Sequence, residues 1–180
     1  MTDSGGPAIP ELTTDRLRLR GFTDADRAPF AAMNADPDVM EHFPSTLTRT
    51  ESDALVDRIL TRWAEDGHGL WAVERLDDGR LLGFAGIARL AWLETPEIGW
   101  RFARFAWGHG YATEAARVCV DYAFAVMGWE RVVARARPGN AASLRVMEKL
   151  GFVRQGQQVG RDGAASLMCV LVRTSFRREL

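Results

Sequence analysis

Three groups of residues in this 180-residue chain have the types and spacing to do chemistry. The first is Trp107-Gly108-His109-Gly110-Tyr111-Ala112-Thr113. It follows a strand-like run, Glu97–Phe102, and opens a helical pattern that continues to about Met127. The first amides of a helix have no internal partners, and the helix dipole places partial positive charge there. Without side chains at Gly108 and Gly110, the backbone can close tightly around an anion. The order strand, glycine loop, helix therefore describes a cradle for a phosphate or pyrophosphate. An ordinary two-glycine loop before a helix is the alternative. Two other phosphate motifs fit badly: no Lys-Ser/Thr follows the glycines, and the third glycine of the dinucleotide fingerprint is missing.

The second group is Asn140-Ala141-Ala142-Ser143, which leads into Lys149-Leu150-Gly151-Phe152. Asn140 has the type and place of a helix cap, and Gly151 those of the residue that ends the helix before a strand. The third is Glu97. On a strand it shares a face with Gly99 and Arg101, while Ile98, Trp100 and Phe102 share the other. Gly99 is expected to mark a bulge where this strand parts from a neighbour.

The first two motifs, in this order, closely resemble those of the GNAT N-acetyltransferases. The nearest branch is that of the ribosomal-protein-alanine acetyltransferases and their small-molecule relatives. The resemblance runs from about Leu12 to Phe176. It implies a central, mostly antiparallel sheet opened into a V by splayed strands, with helices on both faces. It implies a single N-acetyltransferase domain over residues 12–176, preceded by a flexible arm, 1–11. The expected reaction is direct transfer of acetyl from acetyl-CoA to a primary amine, on a protein N-terminus or on a small molecule such as an aminoglycoside, polyamine or amino acid. A non-catalytic acyl-CoA-binding module is the rival, and retention of Glu97 favours the enzyme.

The resemblance also distributes roles. Backbone amides from Gly108 to Thr113 would hold the pyrophosphate of acetyl-CoA, so Trp107, Gly108, His109, Gly110, Tyr111, Ala112 and Thr113 form the cofactor loop. The wider family has Arg or Gln where this chain has Trp107. Arg101 or Arg104 would have to supply that charge, and solvated surface arginine is the competing role for both. Histidine is a common general base, but the resemblance puts His109 at the phosphate end, away from the thioester. Glu97 is the candidate base, its rival reading an edge-strand glutamate in solvent. Asn140 would bond the pantetheine arm as well as cap its helix. Many relatives protonate the departing thiolate with a tyrosine, yet none follows Tyr122 here. Ser143 takes that place, with a purely structural bond to Asn140 as the alternative.

These residues need elements to position them. Arg16–Arg20 alternates with period two and reads as a first strand. Thr23–Asn34 is helical, with Pro29 requiring a start near Asp26 or a bend. Asn34–Thr46 is irregular and carries His42 and Phe43. Thr48 and Glu51 have capping-box spacing, and the helix they open carries Leu55, Ile59, Leu60 and Trp63 to a stop at Gly67. Strands follow at Leu70–Arg75, Leu81–Arg89 and Arg131–Arg137, with a turn at Asp77-Asp78-Gly79. The last two strands lie near Phe152–Gln157 and Leu167–Arg173, joined by a loose loop, Gly156–Ala165. Strands with interspersed helices and hairpins at both ends give an α/β mixed sheet. Phe43, Trp71 and Trp92 are candidates for an acceptor wall, with core packing as the default.

Composition sets outer bounds. The chain is 47% hydrophobic and 26% charged, with a net charge of −1, so nothing points to nucleic acid or to an anionic membrane. Three histidines and two separated cysteines offer no metal-ligand spacing. Cys119 and Cys169 fall in apolar patterns and read as buried reduced thiols. No signal-peptide pattern is present, and the expected location is cytoplasmic. A monomer or a homodimer is expected.

Overall fold

The computed structural model describes residues 8–89, 94–159 and 163–176. Eight strands form one sheet: β1 (Leu12–Thr13), β2 (Leu17–Arg20), β3 (Leu70–Arg75), β4 (Leu81–Ala88), β5 (Glu97–Phe102), β6 (Arg131–Ala136), β7 (Val153–Val159) and β8 (Ala165–Val172). Their spatial order is β1-β2-β3-β4-β5-β6-β8-β7. All neighbours are antiparallel except β5 and β6. Four α-helices accompany them: α1 (Arg27–Ala35), α2 (Arg49–Asp66), α3 (Tyr111–Ala125) and α4 (Ala141–Leu150).

Strand alternation sorts the two faces of the sheet. Phe84 of β4 lies opposite Ala72 and Arg101, and its ring meets Phe30 of α1 edge-on at 6.1 Å. Trp71 of β3 lies opposite Ala85 and points the other way, where Tyr122 of α3 meets it at 5.3 Å. Helices thus cover both faces, as expected. Trp71 is fully buried, so it is core and not a pocket wall. Trp92 lies outside the described residues.

Local sequence explains the helix ends. Thr48 and Glu51 form the expected capping box: the Glu51 amide donates to Thr48 Oγ1 at 3.3 Å, and the Thr48 amide to Glu51 Oε2 at 2.7 Å. Pro29 is the third residue of α1, inside the first turn where its missing N–H costs nothing. The last two strands are longer than expected and reach into the stretch 156–165 that the sequence suggested was loop. Of the expected arm, residues 1–7 lie outside the described residues. Its end is held: Ile9 packs on the core, and Trp71 Nε1 donates to the Pro10 carbonyl at 2.7 Å. Cys119 and Cys169 are buried free thiols.

Below α1, Arg20 is gripped by Asp26 at 2.7 Å and by Glu74 at 2.7 Å. Burial alone would raise the Asp26 pKa, but hydrogen bonds from Arg20 and Thr23 outweigh it and hold the carboxyl below the usual range. A depressed carboxylate pKa gives stability that is present above the unfolded value and lost as pH falls through the folded one. Asp26→Asn is therefore expected to cost on the order of 2 kcal/mol at neutral pH. The gap to the natural chain should close on acidification through the Asp26 pKa. Urea melts across that range check it, and a gap that stays constant with pH contradicts it.

Candidate active site

The sheet opens at the one parallel junction. β5 and β6 pair only at Glu97 and Val133, where the Val133 amide also donates to the Pro96 carbonyl at 2.9 Å. Beyond that point the two strands diverge, and Glu97 sits in the angle of the V. Its carboxylate is not a solvated edge glutamate: the side chain is 13% exposed. Arg135 of β6 grips it with two hydrogen bonds, Nε to Oε1 at 3.1 Å and Nη2 to Oε2 at 3.0 Å. Burial drives the Glu97 pKa up, Arg135 pulls it down, and the net result lies above the ordinary carboxylate value.

The strand carrying Glu97 is regular. β4 and β5 stay in register from Ala88↔Glu97 to Gly83↔Phe102, so Gly99 marks no bulge. It leaves room instead. A Cβ placed there would meet nothing within 4 Å, so the face between Glu97 and Arg101 is open. Arg101 is turned into the fold, not toward the glycine loop as a substitute phosphate ligand. Its Nη1 donates to Asn34 Oδ1 at 2.7 Å, and its guanidinium lies 4.0 Å over the Phe43 ring. Arg104, the other candidate for that charge, pairs with Asp38.

The segment after α1 bridges the mouth of the V. Phe43 covers Arg101, while the His42 carbonyl accepts from Arg137 Nε at 3.3 Å. His42 also reaches the turn before α4, with Cε1 3.9 Å from the Cβ position of Gly139. There the Asn140 side chain caps α4, accepting from the Ser143 amide at 3.0 Å. The Ser143 amide, not its hydroxyl, makes this bond, so capping does not consume the hydroxyl.

At the far end of β5 the glycine loop has the backbone expected of a cradle. Gly108 and Gly110 have φ of 78° and 81°, a region that L side chains rarely adopt. The first helical bond runs from the Glu114 amide to the Gly110 carbonyl at 3.1 Å, which leaves the amides of Tyr111, Ala112 and Thr113 outside the helical ladder. Trp107 donates from Nε1 to the Phe102 carbonyl at 2.8 Å, folding the loop back onto the strand end. His109 is exposed, with Nδ1 2.7 Å from the Trp107 carbonyl and its ring stacked on Tyr111. A carbonyl only accepts, so Nδ1 carries hydrogen. The ring lies at the loop end of β5, away from Glu97.

Sequence reasoning missed a clamp behind this loop. Glu114 accepts from Thr14 Oγ1 at 2.5 Å and from Arg16 Nε at 2.8 Å, while Arg16 Nη1 donates to the His109 carbonyl at 3.0 Å. The clamp pins the loop by a carbonyl and by the first turn of α3. It also missed Arg135 and Asn34, because their partners are 38 and 67 positions distant in the chain. A separate cavity of about 650 Å³ opens between α1 and the ends of β4 and β5, lined in part by Met33, Leu82 and Arg104. Neither Glu97 nor Asn140 lines it. Among the described residues, no group of three or more His, Cys, Asp or Glu is placed to hold a metal ion. No helix there is long and apolar enough to cross a membrane.

Comparison with known proteins gives the class. Residues 16–153 match the acetyltransferase (GNAT) domain family, and the chain belongs to that family. It is 40% identical over 150 residues to the uncharacterized protein YkkB of Bacillus subtilis, covering 81% of this chain and 86% of YkkB. It is 32% identical over 145 residues to the uncharacterized N-acetyltransferase YnaD of the same organism, covering 81% and 84%. An acetyltransferase structure from Agrobacterium tumefaciens superposes with a TM-score of 0.83 at 25% identity, over 96% of this chain and all of that one. The protein is thus an N-acetyltransferase of the GNAT type.

Proposed function

We propose that this protein transfers acetyl from acetyl-CoA to a primary amine held in the split between β5 and β6. The observation that carries the reading is the position of Glu97, a buried carboxylate at the one junction where the sheet opens. The glycine loop at the other end of the same strand would take the pyrophosphate on the amides of Gly108 to Thr113. Its positive-φ glycines and unpaired first-turn amides fit that group. Asn140, at the head of α4, would bond the pantetheine arm.

The chemistry follows from these placements. An ammonium group has no lone pair, so the acceptor must first give a proton to Glu97, directly or through a water. The free amine then attacks the thioester carbonyl carbon. Charge builds on the carbonyl oxygen, which needs N–H donors aimed at it. As the C–S bond breaks, the nitrogen gives up its second proton, which ends on the departing sulfur, and a hydrogen-bond donor beside that sulfur eases its departure. Ser143 is the nearest fit for that last task, because its hydroxyl can donate. Arg135 holds the Glu97 carboxylate in one orientation with a two-point grip.

Ser143→Ala is expected to lower kcat roughly tenfold, the scale of one lost hydrogen bond, with the acetyl-CoA affinity and Tm little changed. Thiol release and a thermal melt on the same preparation check this. An unchanged rate with a lowered Tm would assign Ser143 to the α4 cap alone. The function as a whole is tested by calorimetry with acetyl-CoA, followed by thiol release against a panel of amines. Binding and amine-dependent release are expected, and absence of binding would refute the proposal.

A further inference from the structure

The open face beside Gly99 is bounded by two charged groups of different sign. On one side, two residues back along β5, is Glu97. On the other, two residues on, is Arg101. Glu97 has its counter-charge in Arg135. Among the described residues Arg101 has none: its one hydrogen bond there is to the neutral amide of Asn34, and its buried Nε has no partner. Asn34 cannot swing away to give more, because it is fully buried and donates its Nδ2 to Ser52 Oγ at 2.9 Å. Phe43 and Phe84 flank the guanidinium at 4.0 and 5.4 Å. Of the acids in the segment that carries Phe43, Asp38 pairs with Arg104 and Glu41 lies 3.8 Å from His42 Nε2.

An arginine among aromatic rings without a carboxylate is costly, since a buried charge needs a counter-charge or several hydrogen bonds. Burial pulls its pKa down to about 10, still charged at neutral pH. Such a half-buried group, with one nitrogen held by Asn34 and the open face at Gly99 two residues away on the same side of β5, is suited to an anionic partner that arrives with the substrate. Glu97 and Arg101 lie on the same face of β5, Glu97 held toward β6 by Arg135 and Arg101 toward α1 by Asn34, with the open space of Gly99 between them.

Resting on the function proposed above, we infer that the acceptor carries a carboxylate as well as its amine. It lies over Gly99 with the amine toward Glu97 and the carboxylate on Arg101. An amino acid, or another small amine bearing a carboxylate, has both groups. A polyamine or an aminoglycoside brings only positive charge and meets a buried arginine. A guanidinium binds a carboxylate through charge-assisted hydrogen bonds, which are stronger than neutral ones.

The test is thiol release from acetyl-CoA by the full chain, with matched acceptors. The panel holds the common amino acids, their carboxamides, and spermidine and kanamycin as cationic amines. The acids should exceed their own amides by at least about tenfold in kcat/KM, the scale of one charged hydrogen bond. Arg101→Gln should bring that ratio near one while acetyl-CoA affinity stays unchanged, and Arg101→Lys should restore part of it. A melt of each variant separates lost folding from lost selectivity, and the ratio in the natural chain stands without them. Equal or better use of amides, spermidine or kanamycin overturns the inference. So does a protein that binds acetyl-CoA yet acetylates no carboxylate-bearing acceptor, or an acid preference that survives Arg101→Gln. Failure to bind acetyl-CoA at all would instead strike the proposed function.

Discussion

Glu97→Gln is expected to lower kcat/KM by about 10²-fold or more, the usual cost of losing a general base. The substitution keeps size and shape but cannot accept a proton. Acetyl-CoA affinity should not change, because the carboxylate sits at the β5–β6 junction and the glycine loop at the other end of the strand. The pH dependence is the sharper readout. In the natural chain activity should fall as pH drops through the Glu97 pKa, because only the ionised carboxylate takes a proton. Burial raises that pKa above the ordinary value, so the acidic limb should lie above the usual carboxylate range. In the variant that limb should vanish. Retention of both rate and limb would make Glu97 a structural partner of Arg135 and nothing more.

Gly110→Val should remove acetyl-CoA binding through the backbone. Gly110 has φ of 81°, where an L residue costs about 1–2 kcal/mol and a branched one more. In a domain of this size that lowers Tm by roughly 2–8 °C. Relaxing the strain turns the amides after Gly110, and the added Cβ comes within about 3.6 Å of Arg16 Nη2 in the clamp that pins the loop. Loss of one or two charged hydrogen bonds weakens binding by about tenfold to a hundredfold or more. Gly67→Val is the control. Gly67 has φ of 68° at the C-terminal end of α2, with nothing within 4 Å of an added Cβ, and should lose stability with no loss of affinity. Calorimetry with acetyl-CoA on both variants checks the pair. Equal affinity in Gly110→Val and the natural chain would remove the loop from the site.

Much of this was legible in the chain because it is local. Caps, turns and strand alternation act over three or four residues. The Thr48–Glu51 box, the glycine stop at Gly67 and the limits of β5 all stand where the sequence put them. The glycine loop was legible for the same reason, since its signal is a short run between two elements. Distant pairing was not. Nothing near Glu97 announces Arg135, and nothing near Arg101 announces Asn34 or the aromatic rings around it. Arg101 reads as surface charge because arginines usually are, and only the fold turns it inward. Gly99 was misread for a related reason. A glycine in a strand signals either a bulge or a space left for something else. The β4–β5 register decides for the space.

The account rests on where acetyl-CoA lies, and a crystal structure of the complex measures that directly. The pyrophosphate should accept from amides between Gly108 and Thr113. The pantetheine arm should pass between β5 and β6 within reach of Asn140, and the thioester should end in the angle of the V beside Glu97. An acetyl-CoA molecule seated elsewhere, for example in the cavity beside Met33 and Leu82, or a thioester turned from Glu97, would contradict it.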